Sequence, residues 1–496
     1  MTPLPEGFGL VLDRSVRTFR DGTVLAGGHP GRLITLTAEG VAALSSLLAG
    51  EPAGDSSRRL GRQLVDAGMA HPWSTTVTPT GGARPDRGSD LTVVVPVHNA
   101  VPSLDRCLGS LGAGVAVVVV DDGSDEPDAV ARVCRRHGAR LIRRATNGGP
   151  AAARNQALQV VGTDLVAFVD SDCRVTDGWL GHLVWMFDDP DLGAIAPRVR
   201  PDHSGGNAAR RVLTRFADAH SALDMGPVPG EVGPDKAVRY VPTAALVARR
   251  EALAAGFDPA LRVGEDVDLV WRLADRGWHV RYEPASTVFH EEPSTWSRTF
   301  ARRFRYGTSA GPLSKRHPGR LPPVELRPWP TAAAVAFLTG RRPTAAAVVL
   351  ASAALLARRV RDRGVPASIC VRWSAEATAW TVVGVGRAAT MLAAPVLVVA
   401  LLRGRRAAAL LLLAPALVEW WRRRPDLDPL RWTLASIADD VAYGAGVWAG
   451  CVRWRSFGPL APTLPIRSRG RGPSPREDSD PAGDRNGGLR VSDPRP

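Results

Sequence analysis

Three hydrophobic runs in the central part of the chain, at 91–95, 115–120 and 164–169, are separated by stretches with helical character. These runs are apolar almost throughout and rich in valine, a pattern typical of parallel strands that are buried on both faces of a sheet. The sequence therefore predicts an α/β domain built on a parallel sheet.

Polar residues follow each of these predicted strands. Ligands of such sheets bind outside the carboxyl ends of the strands, and a group of carboxylates there is costly unless a cation is bound. We therefore predict a divalent metal ion that carries a diphosphate at this edge. The polar segments are Pro96-Val97-His98-Asn99, Asp121-Asp122-Gly123-Ser124 and Asp170-Ser171-Asp172.

The first 80 residues have the pattern of a small separate α+β module. The predicted elements are a hairpin over 17–25 with Asp21-Gly22 at its turn, a strand at 32–36, a helix after Thr37 with Val41, Leu44 and Leu48 on one face, and a helix at 59–67. This arrangement resembles the winged-helix peptide-recognition modules of the PqqD type, which bind the leader of a ribosomally made precursor peptide. A small stabilising cap is the alternative.

The region 328–460 contains apolar segments that arginines interrupt. A membrane-spanning helix needs about 20 apolar residues, and only the segment 381–402 approaches this length, with Arg387 near one end. Spanning helices with arginines on the cytosolic side and a hairpin of helices in the membrane surface both remain open. Either interpretation predicts a membrane-associated helical region, on the cytoplasmic face of the cell membrane.

Composition limits the possible partners. The net charge is +14, almost entirely from arginine, but the basic residues do not gather with aromatics as in a nucleic-acid groove, so we expect no nucleic-acid partner. The five cysteines form no CxxC pair, which argues against a structural zinc site or a disulfide scaffold. The N-terminus has no signal-peptide pattern. We predict a module at 1–80, an α/β domain at 91–320, a helical region at 328–460 and, around them, a linker at 76–90 and a disordered tail at 465–496.

Four motifs in this order resemble the family 2 glycosyltransferases of the GT-A fold, over roughly 91–311. The resemblance implies a GT-A core that transfers a sugar from a nucleotide donor, and the absence of a glycine-rich, lysine-containing phosphate loop disfavours a nucleotidyltransferase. The motifs are Val94-Val95-Pro96-Val97-His98-Asn99, Asp121-Asp122-Gly123-Ser124, Asp170-Ser171-Asp172 and Gly264-Glu265-Asp266-Val267-Asp268-Leu269.

The resemblance also implies a donor site for a UDP-hexose. An acid at Asp121 or Asp122 would accept from the uracil ring, although Asp-Gly-Ser also makes good turns unaided. Arg154 follows the small residues of 148–153, at a helix start that favours anions, and matches a segment that contacts the nucleotide. The implied donor-binding residues are Pro96, Val97, Asn99, Asp121, Asp122, Arg154 and Asp170.

A divalent Mg²⁺ or Mn²⁺ ion is implied at the third motif. Alternation along an extended segment brings Asp170 and Asp172 to one side, and these ions prefer oxygen ligands completed by phosphates. By resemblance Asp172 coordinates the ion, Asp170 reaches the ribose or a metal-bound water, and His290 completes the site. A lone histidine is also common as a structural residue.

The acid pair Glu265-Asp266 stands at the start of a predicted helix, where an acid can stabilise the helix dipole. The resemblance implies instead that Asp266 is the catalytic base, with Glu265 as the alternative. One displacement on the anomeric carbon then inverts its configuration. Downstream, the QxxRW motif of processive relatives is absent, and we expect the following residues to meet the acceptor or the diphosphate: Trp296, Arg302, Arg303, Arg305 and Tyr306.

The three-part organisation resembles the glycosyltransferases of the mycofactocin system. That resemblance implies glucose transfer from UDP-glucose onto a peptide-derived redox cofactor, giving a short β-linked oligosaccharide. Two alternatives are an enzyme of cell-envelope polysaccharide or lipid-linked sugar synthesis, which the membrane region fits equally well, and a non-catalytic peptide-binding membrane scaffold. The complete set of acids disfavours the scaffold.

Overall fold

The computed structural model describes residues 2–75, 90–112, 114–202 and 211–464. The chain forms two compact units, of which the first contains 2–202 and 222–291 and the second contains 211–221 and 292–464. The first unit thus holds both the N-terminal module and the α/β core. The predicted disordered tail and most of the predicted linker lie outside the described residues.

The N-terminal module is a small α+β fold with two sheets. The predicted hairpin and the cap are confirmed, since β2 pairs with β3 and the Thr37 hydroxyl accepts from Gly40 N at 3.1 Å. A further pair, β1 with β5, closes the module. Its elements are β1 (Phe8–Leu12), β2 (Arg17–Phe19), β3 (Val24–Gly27), β4 (Arg32–Thr35), α1 (Ala38–Ala49), α2 (Asp55–Asp66) and β5 (Ala70–Ser74).

Two predictions for this module need correction. In α1 the buried residues are Leu44 and Leu47, whereas Leu48 is 37% exposed. Positions three apart share a helix face as well as positions four apart do, and packing in the module core, where Leu44 and Leu47 lie, selected the first spacing. Helix α2 begins at Asp55, before the predicted start.

The α/β core is a mixed sheet in the order β10-β14-β11-β13-β9-β6-β7-β8, with β12 beside β14. Only β8, β7, β6 and β9 form the predicted parallel part. Strands β10, β12 and β13 run antiparallel to their neighbours. The elements are β6 (Leu91–Val97), α3 (Val101–Ser110), β7 (Ala116–Asp121), α4 (Pro127–Arg136), β8 (Arg140–Arg143), α5 (Pro150–Leu158), β9 (Leu165–Val169), β10 (Cys173–Val175), α6 (Gly181–Val184), β11 (Leu192–Asp202), β12 (Gly230–Glu231), β13 (Ala245–Arg249), α8 (Glu265–Asp275) and β14 (His279–Glu291).

The parallel strands are as deeply buried as their sequence predicts. Val95, Val119 and Val169 are fully buried, and helices α3 and α4 cover one face of the sheet with residues of the same hydrophobic cluster. Burial on both faces explains why these strands lack alternation. The core therefore holds the carboxyl ends of β6, β7 and β9 in fixed positions along one edge.

The N-terminal module is joined to the core by buried polar and aromatic contacts. Arg62 donates to both oxygens of Asp189 at 2.8 and 2.7 Å, and Lys236 donates to the carbonyl of Asp66 at 2.8 Å. The Phe8 and Trp185 rings lie 5.0 Å apart. Module and core therefore form one compact unit in this structure.

The second unit is helical. Among the described residues, one helix, α13, is long and apolar enough to cross a membrane by length and composition. It is interrupted at Ala393, just before Pro395. The helices are α7 (Val212–His220), which lies between β11 and β12 in the chain, α9 (Trp296–Gly307), α10 (Ala310–Arg316), α11 (Pro328–Leu338), α12 (Arg342–Arg359), α13 (Ala367–Leu402), α14 (Arg406–Arg423) and α15 (Pro429–Trp454).

Two sequence expectations change in this unit. Helices α9 and α10, predicted within the α/β domain, belong here. Because α13 begins before the predicted segment, Arg387 lies well inside the helix rather than near an end, and its partner is Asp440 at 3.3 Å.

Glycines bring α9 and α10 against α15. A Cβ atom at Gly307 would collide with the backbone of α15, and one at Gly446 would collide with the carbonyl of Phe304. Gly311 and Gly450 meet in the same way. These positions are spaced four apart on both sides, the arrangement that allows helix backbones to approach closely.

Candidate active site

The first site segment, 96–99, begins inside β6, because the strand extends two residues beyond its predicted end. Pro96 and Val97 lie in the strand opposite Val120 and Asp121, and the Val97 carbonyl accepts from Asp122 N at 2.8 Å. The Val97 carbonyl is therefore bonded within the protein, and the predicted contacts of Pro96 and Val97 with the donor stay predictions. The turn comes at Asn99.

Asn99 fastens two loops at the carboxyl edge of the sheet. Its backbone has φ +53°, a conformation that asparagine tolerates better than most residues. Its side-chain amide donates to Asp125 at 2.9 Å and accepts from Asp125 N at 2.8 Å. Its own N–H donates to the Ser124 hydroxyl at 2.9 Å. The predicted donor-binding residue thus positions the loop after β7.

The acids after β7 are both buried and both occupied by protein donors. Asp122 accepts from the backbone N–H groups of Gly148 and Gly149 at 2.9 and 2.7 Å and from Arg144 Nε at 2.7 Å. Asp121 accepts from Ser124 N at 2.9 Å and is paired with Arg143. Gly149 has φ +89°, so a glycine is needed there. Asp122 therefore shapes the glycine loop, and its predicted contact with a base stays a prediction.

Sequence reasoning missed Arg143 and Arg144. Both stand at the carboxyl end of β8, a strand that the sequence analysis did not identify because its four residues carry arginines at both ends. The sequence did offer one signal for their role. Two arginines at a strand end can pair with acids at the ends of neighbouring strands, as Asp121 and Asp122 are.

Arg154 is the residue that links two distant motifs. From the first turns of α5 it donates to Asp170 Oδ1 at 2.6 Å and to Glu265 Oε1 at 2.9 Å. Its guanidinium also lies over the Phe257 ring, 5.4 Å from the centroid. The residue is only 2% exposed. Arg154 is thus buried and holds both acids, and its predicted contact with the nucleotide stays a prediction.

The third motif meets a histidine from the far end of the core. Strands β10 and β14 pair Cys173 with His290, which brings His290 Nε2 to 3.4 Å from Asp172 Oδ2. Burial and the nearby charge of Asp170 raise the pKa of Asp172, while His290 opposes the shift. The histidine and the aspartate lie together, as the sequence analysis predicted.

These side chains fit a divalent ion only in part. Within the described ranges, no group of three or more histidine, cysteine or acidic side chains is arranged to hold a metal ion. Asp172 and His290 form a pair, and Asp170 is shared with Arg154. A carboxylate and an imidazole suit Mn²⁺ or Mg²⁺ when substrate phosphates supply the remaining ligands. The residues therefore fit an ion that binds together with a diphosphate.

The two acids at the start of α8, Glu265 and Asp266, have different surroundings. Gly264, at φ +84°, turns the chain into the helix. Glu265 is buried and held by Arg154, whereas Asp266 has no cation within 4 Å among the described residues and accepts from Val267 N at 2.8 Å. Desolvation, and then the charge of Glu265, raise the pKa of Asp266 to about 7. A carboxylate with such a pKa is suited to take up a proton near neutral pH.

A third acid in this helix has a structural role. Asp268 is fully buried and accepts from Arg272 Nε at 2.7 Å, and Arg272 also donates to the Gly256 carbonyl at 2.8 Å. Its charge is thus neutralised one helical turn away. Of the three acids in the fourth motif, Asp266 is the one that is only partly buried, and its pKa is raised.

The predicted acceptor-binding residues belong to the second unit. Arg302 is paired with Glu292, and Arg303 donates to Asp439 at 2.9 Å while its guanidinium lies over the Tyr443 ring. Trp296 stacks on Phe300. Arg305 is exposed, and Tyr306 is partly buried. These contacts are structural, and the predicted roles toward acceptor or diphosphate stay predictions.

Comparison with known proteins agrees with this geometry. The sequence model of the family described as "Glycosyl transferase family 2" matches residues 92–246 of this chain. The chain is 36% identical over 499 aligned residues to the "Pre-mycofactocin glycosyltransferase" of Mycobacterium tuberculosis, covering 93% of this chain and 99% of the relative. It is 31% identical to the "Succinoglycan biosynthesis protein ExoU" of Rhizobium meliloti, over 38% of this chain and 58% of that protein.

One similar solved structure is the "Mannosyltransferase PcManGT from Pyrobaculum calidifontis in complex with GDP-Man and Mn2+". It is 21% identical, with a TM-score of 0.36, and the match covers 62% of this chain and 91% of that one.

Fold, site and relatives together define a glycosyltransferase with a GT-A core. The chain belongs to glycosyltransferase family 2. It is an enzyme, so the scaffold alternative is excluded. Its similarity to the Mycobacterium tuberculosis protein extends over the N-terminal module and the helical unit as well as the core, because the match spans nearly both chains.

Proposed function

We propose that the chain is an inverting, metal-dependent hexosyltransferase that moves glucose from UDP-glucose onto a peptide-derived redox cofactor of the mycofactocin type. Repeated transfer builds a short β-linked oligosaccharide. The name and full-length similarity of the relative at 36% identity support the acceptor class, and the resemblance of the N-terminal module to PqqD-type modules agrees with it.

The observation that carries the catalytic part is the double hydrogen bond of Arg154. It joins Asp170 of the donor-side motif to Glu265 of the acid pair, with N–O distances of 2.6 and 2.9 Å. The donor-side acids and the base candidate are thereby held in one rigid network. Without this buried cation, the carboxylates of the two motifs would repel each other.

In the proposed mechanism Asp266 accepts the proton of the acceptor hydroxyl. The hydroxyl oxygen attacks the anomeric carbon on the face opposite the diphosphate, and the carbon–diphosphate bond breaks with inversion. Glu265 stays paired with Arg154 and orients the helix start. Asp172, His290 and Asp170 would hold a divalent ion, which when bound neutralises the leaving diphosphate.

We also propose that the helical unit associates with the cytoplasmic face of the cell membrane. Most of the large hydrophobic side chains that are exposed in this structure lie in this unit. Soluble proteins rarely expose large contiguous apolar patches. The exposed side chains include Trp329, Phe337, Leu350, Trp380, Val396, Leu402, Trp421, Leu434, Trp448 and Val452. The spanning candidate α13 supports the same proposal.

The N-terminal module is proposed to contact the precursor peptide or the peptide-derived acceptor. Its three-stranded sheet ends in two exposed-edge strands, β2 and β4, and such edges pair with extended peptides. Binding of a labelled precursor peptide to the full chain, and its loss on adding charges along one edge, tests this part separately from catalysis.

The test of the proposed reaction uses Asp266→Asn in the full chain. Wild-type protein, UDP-glucose, Mn²⁺ and the acceptor cofactor should give products heavier by whole hexose units in mass spectrometry. The variant should lose transfer by about 10²- to 10⁴-fold while UDP binding stays. The control is Asp128→Asn, an exposed acid in the first turn of α4, which should transfer normally. Full activity of Asp266→Asn would refute the assignment of the base.

A second candidate function is synthesis of an envelope polysaccharide or a lipid-linked sugar. The similarity to a succinoglycan biosynthesis protein favours it, as does the apolar surface of the helical unit. Incubation with a bacterial lipid extract separates the two candidates, because hexose label in the lipid fraction, without labelled cofactor, would select the second.

A further inference from the structure

The charged residues of the helical unit limit how its apolar surface can meet a membrane. Between 292 and 464, the longest runs of sequence without a charged residue are 343–357 and 388–402. At a rise of about 1.5 Å per residue, each run extends about 22 Å along a helix. The hydrocarbon core of a bilayer is about 30 Å thick. Neither run is therefore long enough to cross a bilayer without carrying charge into it.

Helix α13 shows this limit most clearly. It is long and apolar enough on average to span a membrane, yet Arg387 divides it and pairs with Asp440 of α15 at 3.3 Å. In the neighbouring α14, Glu419 pairs with Arg423 at 2.8 Å. A charged side chain within the hydrocarbon core is costly even when it has a partner. A perpendicular α13 would carry the pair of Arg387 and Asp440 into that core.

Arginine-rich segments precede and follow α13. They are the connection from α12, at 358–363, and the turn into α14, at 403–406. Short segments rich in arginine stay on the cytoplasmic side of a membrane, so an α13 that crossed would place one of these two on the outer side. The arginines are Arg358, Arg359, Arg361 and Arg363 before the helix and Arg403, Arg405 and Arg406 after it, and all but Arg363 are exposed.

We propose that the helical unit lies along one face of a membrane rich in anionic phospholipid, and that α13 does not cross it. This inference rests on the membrane association proposed above and adds its topology and its lipid. Exposed apolar side chains such as Val396 and Leu402 enter the acyl chains of one leaflet, as in helices that lie in the membrane surface. The arginines before and after α13 both bind the phosphate headgroups of that leaflet.

Cysteine labelling of the full chain in cells tests the topology. All five native cysteines are buried, so a membrane-impermeant maleimide should report mainly on introduced ones. Arg361→Cys and Arg405→Cys place one thiol before and one after α13. Asp128→Cys, at an exposed position in the first turn of α4, marks the side on which the catalytic core lies. We expect all three to react in inverted membrane vesicles and none in intact spheroplasts.

Two labelling results would overturn the proposal while leaving the membrane association intact. Reaction of Arg361→Cys and Arg405→Cys from opposite sides would show that α13 crosses. Reaction of either one only after detergent is added would place it inside the bilayer. If instead the wild-type chain stays in the soluble fraction of broken cells, the membrane association itself fails and this inference fails with it. Hexose transfer is measured separately and does not depend on either result.

Vesicle flotation tests the lipid class. The full chain should float with vesicles of phosphatidylcholine and phosphatidylglycerol, and should bind phosphatidylcholine alone at least about 10-fold more weakly. The triple variant Arg403→Gln, Arg405→Gln, Arg406→Gln should lose affinity for the anionic vesicles by a similar factor. The matched control changes three exposed arginines of the core to glutamine and should bind normally: Arg132, Arg135 and Arg140. Equal binding to both vesicles would reject the anionic lipid, and an equal loss in the control would reject the role of the turn.

Discussion

The two units of this enzyme differ in how completely they neutralise the buried acids of their central clusters. In the helical unit, each of four enclosed acids has a cation within 4 Å: Asp439, Glu419, Asp440 and Glu292. In the first unit, which holds the active site, Arg154 neutralises Asp170 and Glu265, whereas Asp266 has no cation within 4 Å among the described residues. A buried ionic group is therefore not by itself a sign of catalytic chemistry. The indication of catalytic chemistry is an acid that lies beside a network of ion pairs but is not itself neutralised by a cation.

The helical unit shows the self-contained case. Asp439 is 2% exposed and lies between Arg303, at 2.9 Å, and His220, at 3.4 Å. Residues from four separate helices meet there, so the cluster fixes how α7, α9, α14 and α15 pack. The remaining pairs are Glu419 with His220 and Arg423, Asp440 with Arg387, and Glu292 with Arg302.

The largest expected effect comes from breaking one pair in that cluster. Arg303→Met leaves the buried Asp439 with His220 as its one cation within 4 Å among the described residues, and we expect the helical unit to lose about 3–5 kcal/mol of stability. Thermal unfolding measures this loss. Adding Asp439→Leu should restore much of it, because removing both charges leaves no uncompensated group.

The control for this pair is Arg372→Gln, which breaks an exposed ion pair with Glu376 on α13. Exposed pairs of this kind contribute about 0.3–0.5 kcal/mol. A small effect of Arg303→Met, similar to that of Arg372→Gln, would contradict the view that the cluster holds the helices together.

In the catalytic unit, the corresponding change is Arg154→Met. It leaves Asp170 and Glu265 without their shared cation, so both acids should move apart or take up protons. We expect kcat to fall by about 100-fold, equivalent to ~2.7 kcal/mol, measured as hexose transfer at saturating donor.

Arg154→Lys should recover only part of this rate, because one ammonium group cannot reproduce the two-directional fork of the guanidinium. Arg106→Gln, an exposed arginine paired with Glu291 in the same unit, is the matched control and should retain normal transfer. Full recovery in Arg154→Lys would mean that charge alone matters, not the bridge.

The smallest expected effect concerns pH. Asp266 can accept a proton only when ionised, and its pKa is raised to about 7, so kcat should fall as the pH drops through about 7. Removing the neighbouring charge in Glu265→Gln should move this midpoint to lower pH, because that charge is the second cause of the shift. A pH–rate profile measures both, and an unchanged midpoint in Glu265→Gln would contradict the coupling.

The sequence predicted the strands and their acids well where local pattern and position coincide. The buried runs before Asp121 and Asp170 became β7 and β9, because apolar β-branched segments have few other stable conformations in a core. The hairpin turn and the Thr37 cap followed from local hydrogen bonding alone. Each depends on residues close together in the chain.

The prediction failed where the partner comes from elsewhere in the fold. The pairing of Arg154 with Glu265 was not predicted, because the two residues lie more than a hundred positions apart in the chain. Leu47 replaced Leu48 on the buried face of α1 because the packing surface selected it. The glycines of α9, α10 and α15 gave no signal of their own, since each matters only against the opposite helix.

The class of chemistry could be read from the amino-acid sequence, because the family motifs, their order and their places at strand ends are local properties. Which of the acids is neutralised and which is left to act as a base became visible only in the folded chain. Whether a carboxylate is neutralised or left with a raised pKa depends on distances to cations and on burial, and both are set by segments that are remote in the chain.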